Sequence, residues 1–351
     1  MPQIPQRYLD CSIYLYDSKE AAEDGENFGG SGCLVRVESN PLYDPTSFKD
    51  GRYRKVAMFF PPHIYAVTNR HVVESGCTVI RMNTIDDEID VLELDQHDWI
   101  PHPAGDDLAV APIDLPEDKH SYIPIDTGGF VHRDSFLSIG AGDDTFMVGR
   151  FINHAGKQRN TPSLRFGSIA MMPFDKVKLQ SGYMQEAFLV ETRSISGYSG
   201  SPVFVYRPIQ QTTTIPPSPY SPYSDETYSK SITDLVGHPA LLGIDCGHVL
   251  NYDEVLDATG KAHQYGWKVA SNTGMAIVIP AWRLEDLLDT EELIMQRKQK
   301  DKKYQEEKEA EKQSSTVAFD VKKPESFTQE DYQEALKRAS RKISQPDEEK
   351  K

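Results

Sequence analysis

Ser196-Gly197-Tyr198-Ser199-Gly200-Ser201-Pro202, followed by the apolar run Val203-Phe204-Val205, sets a serine between two glycines at the head of a strand. A serine hydroxyl is a poor nucleophile until a base takes its proton. Attack on a carbonyl also needs backbone N–H groups aimed at the oxyanion that forms. Gly197 can take backbone torsions closed to other residues and lets a substrate approach the main chain. A turn there can point the N–H groups of Gly197 and Ser199 at one spot. Taken alone, the same pattern also fits a surface turn leading into a strand. The neighbouring Ser194, Ser196 and Ser201 lack the flanking G-x-S-G pattern.

Two upstream stretches add to this one. In Ile64-Tyr65-Ala66-Val67-Thr68-Asn69-Arg70-His71-Val72-Val73 an apolar strand runs into a short polar turn that carries a histidine. In Gly105-Asp106-Asp107-Leu108-Ala109-Val110-Ala111 an acid heads another apolar strand. Histidine, then aspartate, then serine is the chain order of the chymotrypsin-type triad, and it differs from the subtilisin and α/β-hydrolase orders. T-N-R-H-V-V, D-L-A-V and G-Y-S-G-S-P-V-F together resemble the three catalytic motifs of trypsin-like serine peptidases, with the HtrA-like and glutamyl-endopeptidase branches the nearest in pattern. The resemblance runs over roughly residues 28–288.

It implies roles for individual residues. Ser199 is the expected nucleophile. His71 is the expected general base, and then the acid for the leaving amine. Asp107 is expected to hold the imidazole tautomer. Asp106 is its rival, and the family pattern of an Asp directly before Leu-Ala selects Asp107. The oxyanion hole is expected from the N–H groups of Gly197 and Ser199. The specificity pocket is expected to involve Arg193, six residues before the nucleophile, with Ser194 and Asp245. Glutamyl endopeptidases place a histidine in a G-I-H-W-G strand. Here the run is Gly243-Ile244-Asp245-Cys246-Gly247-His248, so Asp245 stands in the histidine's place and glutamate specificity is not expected. An unpaired buried charge is costly, so Arg193 and Asp245 are expected to pair and leave a pocket for a small or uncharged side chain. No metal or nucleotide motif is present, and acyl transfer by this triad needs no cofactor.

Composition bounds the rest. The 351 residues, 38% of them apolar, suffice for two domains or one large one with a real core. A net charge of −16 argues against nucleic acid, because phosphate binding needs a basic face. The segment Met1–Asp10 has no apolar signal-type region and no stretch approaches a membrane span, so neither a secretory signal nor a membrane partner is expected. Cys11, Cys33, Cys77 and Cys246 stand far apart with no C-x-x-C pair. The disulfide that closes the histidine loop in secreted trypsins cannot form, since no cysteine directly follows His71. The four are read as reduced and mostly buried, in a cytoplasmic protein.

Along the chain, short apolar runs separated by turn residues predict strands at 11–16, 30–37, 56–60, 64–68, 77–82, 89–94 and 107–112. An acidic loop follows the first of these, and a surface loop is expected at 39–54. The glycine-rich start of 30–37 borders the cleft in the family. A second series of strands is expected at 130–138, 144–151, 163–170, 187–192, 201–206, 240–246 and 266–279, closed by a helix over 284–288. The fold class expected is all-β: two six-stranded antiparallel chymotrypsin-like barrels, at 1–128 with His71 and Asp107 and at 129–290 with Ser199, with a charged C-terminal helical tail. Residues 207–239, rich in Pro, Tyr, Ser and Thr, are expected to be irregular or PPII-like. Residues 291–351 carry 15 acids and 15 bases, interleaved at helical spacing, and are expected to form a solvated helical or disordered tail. A partner-binding helix for an activator is the alternative reading of that tail.

The function expected is an intracellular serine endopeptidase acting on protein or peptide through His71, Asp107 and Ser199. The alternative is a catalytically silent or partner-activated binding protein of the same fold.

Overall fold

The computed structural model describes residues 3–317 apart from 27, 44–45, 47, 50–51, 54–55, 117, 151–158, 180–181, 193–196, 216–229, 257–259 and 262–264. The protein is mostly β. Its first half builds an eight-stranded sheet from β1 (Ser12–Tyr16), β2 (Phe28–Val37), β3 (His63–Thr68), β4 (Val79–Asn83), β5 (Ile89–Leu92), β6 (Ile100–Pro101), β7 (Ala109–Ile113) and β8 (Ile125–Asp126). The order is β6-β7-β3-β2-β1-β4-β5, with β8 added parallel to β2. The second half is a closed six-stranded barrel of β9 (Asp144–Arg150), β10 (Pro162–Met171), β11 (Phe188–Glu191), β12 (Pro202–Ile215), β13 (Lys230–Glu254) and β14 (Lys268–Pro280), in the order β9-β10-β11-β14-β13-β12.

Among the described residues, one barrel closes where two were expected. The first sheet's path ends at β5 and β6 without joining. β6 is two residues long and ends on Pro101, which has no N–H to give to a further strand.

The near-continuous apolar runs in the sequence follow from how both halves are buried. On β2, Cys33 and Val35 point into a core shared by the two halves while Leu34 points into the first sheet's own core. On β9, Phe146 and Val148 join the shared core and Met147 faces the barrel interior. On β14, Ile277 and Ile279 face the shared core while Ala276 and Val278 face the barrel interior. Successive residues of a strand point to opposite faces, so a strand buried on both faces loses its polar alternation. The shared core explains why residues 1–128 and 129–290, expected as two domains, pack as parts of one compact unit, Met1–Lys298.

Several local expectations need correction. Residues 19–24 are not a loop but a short helix, α1 (Lys19–Asp24), capped by Ser18 Oγ accepting from Ala21 N at 3.2 Å and ended by Gly25 at φ +73°. The strand expected at 130–138 is a single bridge at Phe130 followed by a 3₁₀ helix at Arg133–Ser138. Most of the expected irregular insertion is paired strand. Arg207–Ile215 run antiparallel to Lys230–His238 as an extension of β12 and β13, and residues 216–229 between them lie outside the described residues. The prolines outweighed Thr212-Thr213-Thr214-Ile215 and Ser231-Ile232-Thr233 in the sequence reading, although β-branched residues favour strands. No helix among the described residues is long and apolar enough to cross a membrane.

The compact unit runs past helix α3 (Ala281–Leu288). Helix α4 (Glu291–Val317) follows, and the unit ends at Lys298 rather than near residue 290. Leu293 is fully buried in the shared core. The Arg297 guanidinium donates to Leu288 O at 2.8 Å and to Tyr65 Oη at 3.2 Å. A chain ending at Lys298 should melt like the full chain. One ending at Thr290 loses the burial of Leu293, roughly 1.5–3 kcal/mol, as well as the Arg297 contacts. It should melt about 3–10 °C lower, at roughly 2–4 °C per kcal/mol for a domain of a few hundred residues. Equal melting temperatures for the two truncations would show that residues 291–298 add nothing to the fold.

Candidate active site

The candidate residues sit where strand ends from both halves meet. β3 ends at Thr68 and leads through Asn69 into the short helix α2 (Arg70–Glu74), which carries His71 near its start. The first N–H groups of a helix have no partner within it. Here the His71 N–H donates to Asp107 Oδ1 at 2.9 Å. The second carboxylate oxygen, Oδ2, lies 2.6 Å from His71 Nδ1. One carboxylate thus satisfies the start of the helix and grips the ring. An ionised carboxylate can only accept hydrogen bonds, so the tautomer this contact favours in the neutral ring has its proton on Nδ1 and its lone pair on Nε2. Asp107 is itself held at both ends: its N–H donates to Gln185 Oε1 at 3.2 Å, and its carbonyl accepts from Asn69 Nδ2 at 2.9 Å.

Asp106 does different work. It is buried, at 4% exposure, in an ion pair with Arg283 of α3, with Tyr183 Oη 3.3 Å and His102 Nε2 3.8 Å from its carboxylate. The two neighbouring acids point to opposite faces, one to the histidine and one to an internal cation.

Ser199 lines a cleft of about 600 Å³ together with His71, Asp107 and Gly197. The turn that carries it depends on two glycines, Gly197 at φ +92° and Gly200 at φ +88°, values that side chains strongly disfavour. Gly200 is constrained twice over, because a Cβ there would lie 1.9 Å from Ser31 O. Tyr198 between them is fully buried, its hydroxyl 2.7 Å from Ser163 Oγ. The Tyr198 carbonyl accepts from Ser201 N at 2.8 Å. The C=O and N–H of a trans peptide point in opposite directions, so the Ser199 N–H of that peptide points away from Ser201. The other expected oxyanion donor, the Gly197 N–H, shares its peptide with Ser196, which lies outside the described residues.

Of the expected pocket residues, Arg193 and Ser194 lie outside the described residues. Asp245 is fully buried, with its backbone N–H donating to Ser201 O at 2.9 Å and its carbonyl accepting from Gly200 N at 2.8 Å. Asp245 is not among the residues that line the cleft, and Arg193, its expected partner, lies outside the described residues. The lining comes instead from its neighbours Cys246, Gly247 and His248 and from Ile277 of the next strand. Gly247, at φ +142° in a break of the β13–β14 register, shifts which residues face the cleft.

Burial and then the Asp107 and Asp245 carboxylates push the Cys246 thiol well above its usual pKa, so it stays protonated and is no rival nucleophile. Burial pulls the His248 imidazole below its usual value, which keeps it neutral at neutral pH.

Sequence reading missed Asn69, Gln185, Arg283 and Ser31. The first two hold Asp107, the third neutralises Asp106, and Ser31 anchors the serine turn. The T-N-R-H run and the Gly30-Ser31-Gly32 run contained the signal for Asn69 and Ser31. Nothing near Gln185 or Arg283 in the sequence sets those two apart.

No protein-family model and no curated protein matches the chain. Among solved structures it is similar to the HtrA-type protease AlgW with decapeptide, at 17% identity and TM-score 0.39, over 80% of this chain and 64% of that one. It is also similar to Deg5, at 16% identity and TM-score 0.30, over 56% of this chain and 75% of that one. The match spans less than two thirds of the AlgW chain.

Proposed function

We propose that this chain is a serine endopeptidase of the trypsin-like, HtrA-related class. One observation carries the reading: Asp107 grips His71 through both its ring and its backbone, in the cleft that Ser199 lines on a two-glycine turn. In this reading the first sheet is the counterpart of a second barrel, and the cleft lies between the two halves.

The chemistry follows. Ser199 Oγ attacks the scissile carbonyl carbon while its proton passes to His71 Nε2. The carbonyl electron pair moves onto oxygen, where the Gly197 and Ser199 N–H groups receive it. The C–N bond then breaks, His71 returns the proton to the leaving amine, and an acyl-serine remains. Water, deprotonated by His71, attacks that ester and releases the acid and free Ser199. Asp107 holds the tautomer and stabilises the imidazolium. Every proton is carried by the chain or by water, and no cofactor enters the scheme.

The substrate is a protein or peptide. Cys246, Gly247, Ile277 and a neutral His248 line the same cleft as Ser199, along with the charged Arg70 and Glu74. The uncharged group favours a small or uncharged side chain before the cut bond. Residues 291–351 would serve a partner or activator. A cytoplasmic setting agrees with four free, buried cysteines, of which Cys11 is pushed up to about 12 by burial.

A fluorophosphonate probe tests the reading. The expected result is labelling of Ser199 in the purified chain, lost in Ser199→Ala, and cleavage of a peptide library after uncharged residues. Labelling only with an added factor would favour the partner-activated alternative, and no labelling under any condition the silent one.

A further inference from the structure

Ser31 of β2, which the mechanism leaves unused, is a fully buried residue in the first half that touches the serine turn of the second. Its backbone N–H donates to Ser199 O at 2.8 Å. Its Oγ donates to Gly197 O at 3.0 Å, across 166 residues of sequence, and accepts from Arg150 N at 3.3 Å. Its own carbonyl accepts from Thr68 Oγ1 at 2.8 Å, on the strand that leads to His71.

These contacts bear on three consecutive peptide planes. The peptide after Gly197 is held at its carbonyl by Ser31 Oγ. The next, after Tyr198, is held at its carbonyl by Ser201 N and carries the Ser199 N–H. The third, after Ser199, is held at its carbonyl by Ser31 N and at its amide by Asp245 O. Ser31 therefore grips both flanks of the peptide that presents the oxyanion donor. A glycine at φ +92° has little steric reason to stay there unaided, since glycine populates many backbone states.

We infer that Ser31 is a positioning residue for the oxyanion turn, acting through its hydroxyl on the Gly197 carbonyl and tying that turn to β3, the strand that leads to the base. The inference rests on the peptidase reading above and deepens it. Ser31 touches no reacting atom. Its role is to keep the Ser199 N–H on the developing oxyanion, so its loss should weaken binding of the transition state and leave substrate binding alone.

The test is Ser31→Ala, which removes the hydroxyl but keeps the N–H bond to Ser199 O. Displacement of a catalytic group by about 1 Å costs on the order of 10²-fold, so kcat should fall about 10- to 100-fold with KM within about twofold of wild type. Affinity for a peptide boronate should fall by the same factor as kcat/KM, whereas a merely structural role would leave boronate affinity unchanged. If Ser31→Ala does not fold, Ser31→Gly, with no Cβ to place, carries the same measurement. Unchanged kcat, or a fall in kcat without a matching loss of boronate affinity, overturns the inference while leaving the peptidase reading intact. Wild type run beside Ser199→Ala separates the two: a wild-type chain inert to peptide and to fluorophosphonate overturns the peptidase reading, and the role of Ser31 with it.

Discussion

Ser199→Ala and His71→Ala should each reduce peptide hydrolysis by about 10⁴-fold or more, and the double variant should be hardly worse than either alone. Nucleophile and base act as one unit, so removing either removes the proton transfer that makes the hydroxyl reactive. The fold should survive both changes. The His71 side chain is 48% exposed, and the helix it sits on keeps its backbone bond to Asp107 Oδ1 in the alanine variant. Substitutions of this kind move stability by only a few tenths of a kcal/mol, so melting temperatures should stay within about 2 °C of wild type. Steady-state kinetics and thermal melts on the same preparations decide the matter. Either single variant keeping near wild-type turnover would remove that residue from the catalytic machinery.

The adjacent acids should separate cleanly, one in rate and one in stability. Asp107→Asn should lower kcat by about 10⁴-fold. The amide oxygen can still accept from His71 N, but the NH₂ group then faces Nδ1 as a donor. The ring must accept there and carry its proton on Nε2, where the base needs a lone pair. Asp106→Asn should act through the fold instead. It leaves the Arg283 guanidinium, 18% exposed, with Asp286 as its remaining ion-pair partner among the described residues, and that carboxylate is 47% exposed and well solvated. Breaking a buried pair from one side costs about 3–5 kcal/mol. The folded Asp106→Asn protein should keep kcat within about tenfold of wild type, because both oxygens of Asp107 remain on His71. If Asp106→Asn is the change that abolishes turnover and Asp107→Asn spares it, the roles of the two acids are reversed.

By itself the sequence was enough to mark the serine turn, the histidine after β3, the acidic pair before β7 and most strand positions. Such features are local. A strand reads as a run of apolar residues, and a tight turn as glycine at a position that needs φ > 0, as at Gly197 and Gly200. Other choices were made only by the tertiary structure. Side-chain pairing between residues 36 apart separates Asp107 from Asp106, and Arg283, 177 positions from Asp106, completes the distinction. The burial of Leu293 moved the end of the compact unit from about residue 290 to Lys298, although the helix that carries it reads as solvated throughout. Strand pairing from Arg207 to His238 outweighed proline content that, read in isolation, argued against strands. Ser31 looks like one more small residue in a glycine-rich strand until folding brings Gly197 within hydrogen-bonding distance. The common reason is that periodicity and turn chemistry depend on a residue's near neighbours in the chain. A hydrogen bond or a buried charge pair depends on which distant strand the fold lays against it.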